Sequence, residues 1–177
     1  MKKEIALTAG LLLALSMTAC GAPAQAPAAT EASETLGSIQ NMVNPYLTCE
    51  DAETMQAEAG FEVSLPAQLP DWVTETIYRT IPGELIEVIY AGEGNEIRVR
   101  VAGGSVDISG VYDSDQKEEK DITVNGRSVH LKGETGEDGV FTAFVSTWNT
   151  PEGRTYSVTS TQGVAEDVLS GLIADIV

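Results

Sequence analysis

Of the side chains that carry most redox, acid–base and phosphate-binding chemistry, this 177-residue chain has few: two cysteines, one histidine and ten lysines and arginines. Each shortage excludes something. No Cys-x-x-Cys or His-Glu-x-x-His occurs, and there is neither a Gly-x-Ser-x-Gly elbow nor a glycine loop ending in Lys-Ser/Thr. The motifs of redox, zinc-hydrolase, serine-hydrolase and nucleotide sites are therefore missing. Ten bases stand against 27 acids, a formal charge of −17. Such a field repels the phosphate backbone, which binds proteins by releasing counterions to Lys and Arg clusters; nucleic acid is not expected as a partner. The long apolar run is also absent, since the stretch Ile5 to Met17 falls short of the about 20 residues needed to cross a bilayer.

That stretch nevertheless carries the clearest signal in the chain. Lys2 and Lys3 precede it, and Thr18-Ala19-Cys20 closes it before Gly21. A charged start, a short apolar segment and small residues at the cut are the layout of a secretory signal. With a cysteine at the cut, it resembles a bacterial lipoprotein signal, although Met17 stands where leucine is commonest. The expectation is a signal peptide over 1–19, lipid (palmitate among the acyl chains) on Cys20, and a lipid-anchored protein on the extracytoplasmic face of the cell membrane. Removing 1–19 leaves 8 basic and 26 acidic side chains, a charge of −18. Residues 20–41 then hold the lipidated cysteine and a Pro/Ala-rich tether, whose roughly 20 residues span about 25 Å as a flexible coil. Residues 42–177 are long enough for one domain with a core of its own.

With Cys20 committed to lipid, Cys49 has no partner for an intramolecular disulfide. Thr48 is read as the cap of a helix running to Gly60, with Asp51 near its third position; a thiol at such a helix start could be acidified and reactive. From Phe61 the pattern turns to strands. Phe61, Val63 and Leu65 alternate with polar residues, and Leu69-Pro70 and Ile81-Pro82-Gly83 mark turns. Gly92-Glu93-Gly94 reads as a turn as well. Gly103-Gly104 is expected to close a hairpin pairing Val101 with Val106, Arg100 with Asp107 and Val99 with Ile108. Asn125-Gly126 predicts a second hairpin, with Val124 opposite Arg127 and Ile122 opposite Val129. That register puts Ile122, Val124, Val129 and Leu131 on one face, and Thr123, Ser128 and His130 on the other, toward solvent.

Residues 140–148 and 154–160 read as a third strand pair. In the closing segment Val164, Val168, Leu172, Ile173 and Ile176 recur at helical spacing, with Glu166 and Asp167 in the first turn. The fold class expected is α+β: a mostly antiparallel sheet of about six to eight strands, a short N-terminal helix, and a C-terminal amphipathic helix packed on the sheet.

The segments Asp107-Ile108-Ser109-Gly110, Val124-Asn125-Gly126 and Leu131-Lys132-Gly133, with the Trp148 strand, Arg154-to-Val158 and the terminal helix, resemble an uncharacterised extracytoplasmic domain. This domain of unknown function occurs in lipoproteins and membrane-anchored, anti-sigma-like proteins of Gram-positive anaerobes. The likeness runs from about residue 44 to the end, and Val111 stands where an acid often follows the Ser-Gly pair. The resemblance implies a fold and no activity. The acidic segment Asp113 to Asp121 offers Asp113, Asp115, Glu118 and Asp121 as oxygen donors, but its spacing does not fit an EF-hand and a solvated loop is the default. His130 has only Ser128 as a cross-turn neighbour and no partner placed for catalysis. No catalytic residue, cofactor or metal site is expected. The function expected is a non-catalytic binding or sensing module of unknown ligand, with a protein or envelope component as possible partner; the alternatives are a carrier of an apolar or lipid ligand and an unrecognised hydrolase.

Overall fold

Asn125 and Gly126 take backbone angles of φ 48° and 79°, both in the left-handed region that a two-residue type I′ turn requires. They join β5 (Glu118–Val124) to β6 (Arg127–Thr135), with Val124 opposite Arg127 and Ile122 opposite Val129 as the sequence predicts. The computed structural model describes residues 44–104, 106–111 and 117–176. The signal segment, Cys20 and the tether lie outside these residues, as do Asp113 and Asp115. A second turn of the same kind, Glu93-Gly94 at φ 49° and 77°, connects β3 (Leu85–Gly92) to β4 (Asn95–Gly103). β1 (Leu47–Cys49) and β2 (Glu75–Ile81) precede them; β7 (Phe141–Asn149) and β8 (Arg154–Ala165) follow β6.

Among the described residues, eight strands form one antiparallel sheet in the order β1-β2-β3-β4-β8-β7-β6-β5. Two four-stranded meanders thus meet at a central β4–β8 seam. The chain must travel from that seam to the far edge between β4 and β5. With two short helices, α1 (Ala52–Ala59) and α2 (Glu166–Asp175), the molecule is mostly β.

Alternation assigns the two faces. Ile86, Val88 and Tyr90 of β3, Ile97, Val99 and Val101 of β4, and Val129 and Leu131 of β6 are buried on one face. They share a core with Met55 and Ala59 of α1 and with Leu169, Leu172, Ile173 and Ile176 from the chain's end. Both helices therefore cover the same side. Their apolar stripes lose water there, the dominant favourable contribution to such packing.

Four local expectations are corrected. Gly103-Gly104 closes no hairpin: Val101 lies between Ile86 and Tyr156, because β3 and β8 occupy both edges of β4. The apolar and charge matching expected of 105–110 is supplied by strands distant in sequence. Phe61, Val63 and Leu65 do alternate inward, yet they lie in irregular chain packed on the core. The Val63 N–H finds the Gln56 side-chain oxygen at 2.7 Å rather than a neighbouring strand. Thr48 and Cys49 belong to β1, and Asp51 is the cap of α1, its carboxylate accepting from the Thr54 N–H at 2.8 Å. In α2 the buried stripe runs through Leu169, at 2 % exposure, while Val168 is 43 % exposed.

Candidate functional site

On the face without helices, a single row of polar side chains crosses the whole sheet. Following the register from edge to edge, it reads Thr48, Arg79, Glu87, Arg100, Ser157, Thr147, His130 and Asp121, one residue from each strand. Each is the direct cross-strand neighbour of the next, about 5 Å away. The sequence hides this row because its members are scattered from Thr48 to Ser157 and only the strand order brings them into line.

The row is densest at Glu87, whose carboxylate is 1 % exposed. Arg100 donates to it from Nε at 2.7 Å, Arg98 Nε stands at 3.6 Å, and Arg79 Nη1 approaches its other oxygen at 3.7 Å. Arg98 is shared with Glu96. Three guanidiniums thus surround one buried carboxylate, in a chain short of positive charge. Among the described residues, Glu87 Oε1, Arg98 Nε and Ser157 Oγ are buried there without hydrogen-bond partners, a costly state for polar atoms.

Residues 106–111, between β4 and β5, lie on this face, and Arg100 fastens them. Arg100 Nη1 donates to the carbonyls of Ile108, at 3.1 Å, and Ser109. Asp107 accepts from the Ser109 N–H at 2.8 Å, and the Ser109 hydroxyl accepts from the Val111 N–H at 3.2 Å. Gly110 has φ 71°, and a β-carbon there would lie 2.2 Å from Arg100 Nη1. The segment Asp107 to Gly110, expected as a strand opposite Arg100, is instead a knot of turns gripped by Arg100. The Leu131-Lys132-Gly133 segment has an equally local cause, since a β-carbon on Gly133 would meet the Thr142 carbonyl at 2.1 Å.

At the other end of the row a cleft of about 600 Å³ opens between Val106-Asp107 and the strands carrying Ser128, His130, Lys132 and Thr147. His130 Nδ1 lies 3.0 Å from Asp121 Oδ1, its Nε2 lies 3.7 Å from Glu119, and Lys132 is 3.3 Å from the same Glu119. The ring thus faces solvent within a cross-strand charge network. Ser157, the buried hydroxyl of the row, is two strands from His130, roughly 10 Å by sheet spacing. That separation is too great for a base and its nucleophile.

Cys49 sits half-buried on β1, where burial first, and then the charges of Glu58 and Asp51, push its thiol pKa up. This is the reverse of the acidification that a helix start could have given. Of the acidic segment, Glu118 and Asp121 stand three apart on β5 and therefore on opposite faces. Glu118 accepts from the Thr135 hydroxyl at 2.7 Å, whereas Asp121 serves His130; the two cannot share an ion. Among the described residues no group of three or more His, Cys, Asp or Glu side chains is arranged to hold a metal. No helix there is long and apolar enough to cross a membrane. No family model, curated protein or solved structure matches the chain.

Proposed function

We propose that the chain is a lipoprotein held to the extracytoplasmic face of the cell membrane through lipid on Cys20, and that residues 42–177 are a non-catalytic binding or sensing module. The likeness to the extracytoplasmic lipoprotein domain belongs to this proposal, as does the α+β reading in which the terminal helix is a permanent cover for one face. The observation that carries it is the polar row: eight strands align charged and hydroxyl side chains on the face the helices leave uncovered. A sheet that only had to be stable would have little use for buried polar atoms at its centre that lack hydrogen bonds among the described residues. Such a face suits a polar protein or envelope surface. An apolar ligand would need room between sheet and helix, and Leu169, Leu172, Ile173 and Ile176 fill that interface at 4 % exposure or less.

The test is cross-linked capture of the lipidated full chain from its own membranes, run in parallel with Lys132→Glu and His130→Ala, two changes at the exposed end of the row. The expected result is one component enriched by the wild type and lost with the variants. Enrichment of nothing, or of the same components by all three proteins, overturns the assignment to this face.

A further inference from the structure

A second site stands out on the helix-covered side, at the rim where the chain after α1, the β7–β8 turn and the end of α2 converge. Arg127, Arg154 and Tyr156 line a cleft there of about 410 Å³, with Ser64, Thr150 and Ile176. The backbone explains the positions of the cations. Arg127 is the first residue after the Asn125-Gly126 turn and shares its side with Val129, while Arg154 opens β8 and shares its side with Tyr156. Both arginines therefore point toward the core layer, but at its open end.

Three details single this cleft out. Arg79, Arg98 and Arg100 each sit within ion-pair distance of a carboxylate, whereas Arg127 and Arg154 make no such pair among the described residues. Arg127 Nη1 is buried without a hydrogen-bond partner among the described residues. Arg154 is immobilised by neutral contacts, its Nη1 donating to the Glu62 carbonyl at 3.1 Å and its guanidinium lying 4.3 Å over the Phe61 ring. Two guanidiniums line this cleft together with Glu62 and Glu152, and neither is within ion-pair distance of a carboxylate among the described residues, which leaves donors and charge for an anion. Of the two acids lining the cleft, Glu62 and Glu152, Glu152 is fully exposed; its carboxyl is held below the usual range first by hydrogen bonds from its own N–H and the Thr150 hydroxyl, then by Arg127 and Arg154. Burial pushes the Tyr156 phenol pKa up, against the pull of Arg154 and Arg127.

A planar carboxylate is satisfied by one guanidinium fork, but a tetrahedral phosphate presents oxygens to several donors from different directions. We propose that this cleft binds the phosphate group of a phosphate monoester, with Arg127 and Arg154 supplying the charge and Tyr156 a third hydrogen bond. The site is separate from the helix-free face and does not depend on that face having a partner. Its neighbour Trp148, stacked on Tyr156 at 5.1 Å between ring centroids, supplies a fluorescence signal.

The full chain is titrated with inorganic phosphate and with glycerol phosphate at constant ionic strength, following tryptophan emission and the unfolding midpoint. A parallel arm uses vesicles of phosphatidate against vesicles of phosphatidylcholine. A saturable response to the soluble phosphates assigns a free metabolite; a response confined to phosphatidate vesicles assigns a lipid headgroup; both support the site. Arg127→Gln and Arg154→Gln should each weaken binding about tenfold, the loss of one charge-assisted hydrogen bond. Glu152→Gln should strengthen it severalfold. If an arginine variant does not fold, the opposite effect of the exposed Glu152 change still decides. No saturable response in either arm, or equal affinity in wild type and Glu152→Gln, overturns the proposal.

Discussion

Gly110 shows how a single residue can be fixed by what lies beneath it. Its φ of 71° is unfavourable for any side chain, and its α-carbon rests against the Arg100 guanidinium. Gly110→Ala therefore strains the backbone and pushes Arg100 off the Ile108 and Ser109 carbonyls; a loss of about 1–3 kcal/mol is expected in urea unfolding. Glu87 is the second such residue. Replacing it with Gln leaves Arg79, Arg98 and Arg100 crowded around a neutral amide, and removing one partner of a buried ion cluster costs about 3–5 kcal/mol. The arginines are partly exposed, so a loss near 3 kcal/mol is expected. An unfolding midpoint equal to wild type would show that the carboxylate is not needed to hold the three cations.

Elements differed in how openly the sequence declared them, and the difference follows from how local their causes are. Asn125-Gly126 needs nothing beyond its own backbone preferences, so its hairpin and register could be read directly. Gly103-Gly104 has the same composition cues, but β8 competes for the edge of β4 and its pairing covers seven residues. No window of sequence contains that competitor. Phe61, Val63 and Leu65 mislead for another reason: irregular chain lying on a core alternates like a strand when every second residue turns inward. The polar row was invisible for the same reason as the seam. Thr48, Arg100, His130 and Asp121 each carry a local reading that does not link them, and only strand order places Arg100 beside Ser157; Arg127 and Arg154 give no sign of a site, since an absent ion pair leaves no trace in sequence. The β3–β4 turn supplies a prediction at this scale. Glu93 adopts φ 49°, which Asn tolerates better. Glu93→Asn should stabilise the protein by roughly 0.5–1 kcal/mol, seen as a raised thermal midpoint with unchanged circular dichroism.

For the whole molecule, the anchor proposed at Cys20 is the strongest determinant of behaviour. Cys20→Ser should move the protein from the membrane to the soluble fraction and remove the acyl mass from the N-terminal peptide, while leaving the unfolding midpoint of residues 42–177 unchanged. Retention of the variant on membranes would transfer the attachment to some other part of the chain. The attachment point also decides how the domain meets mechanical tension. The chain enters the sheet through β1, an edge strand of three residues paired only with β2. A pull between the membrane and a partner seated on the helix-free face would open that short ladder one rung at a time rather than shearing many together. The β1–α1 segment would peel first and lengthen the leash by about a dozen residues. The Glu87–Arg100 pair, on β3 and β4, would stay folded, so with the proposed anchor the domain would yield at its membrane end first.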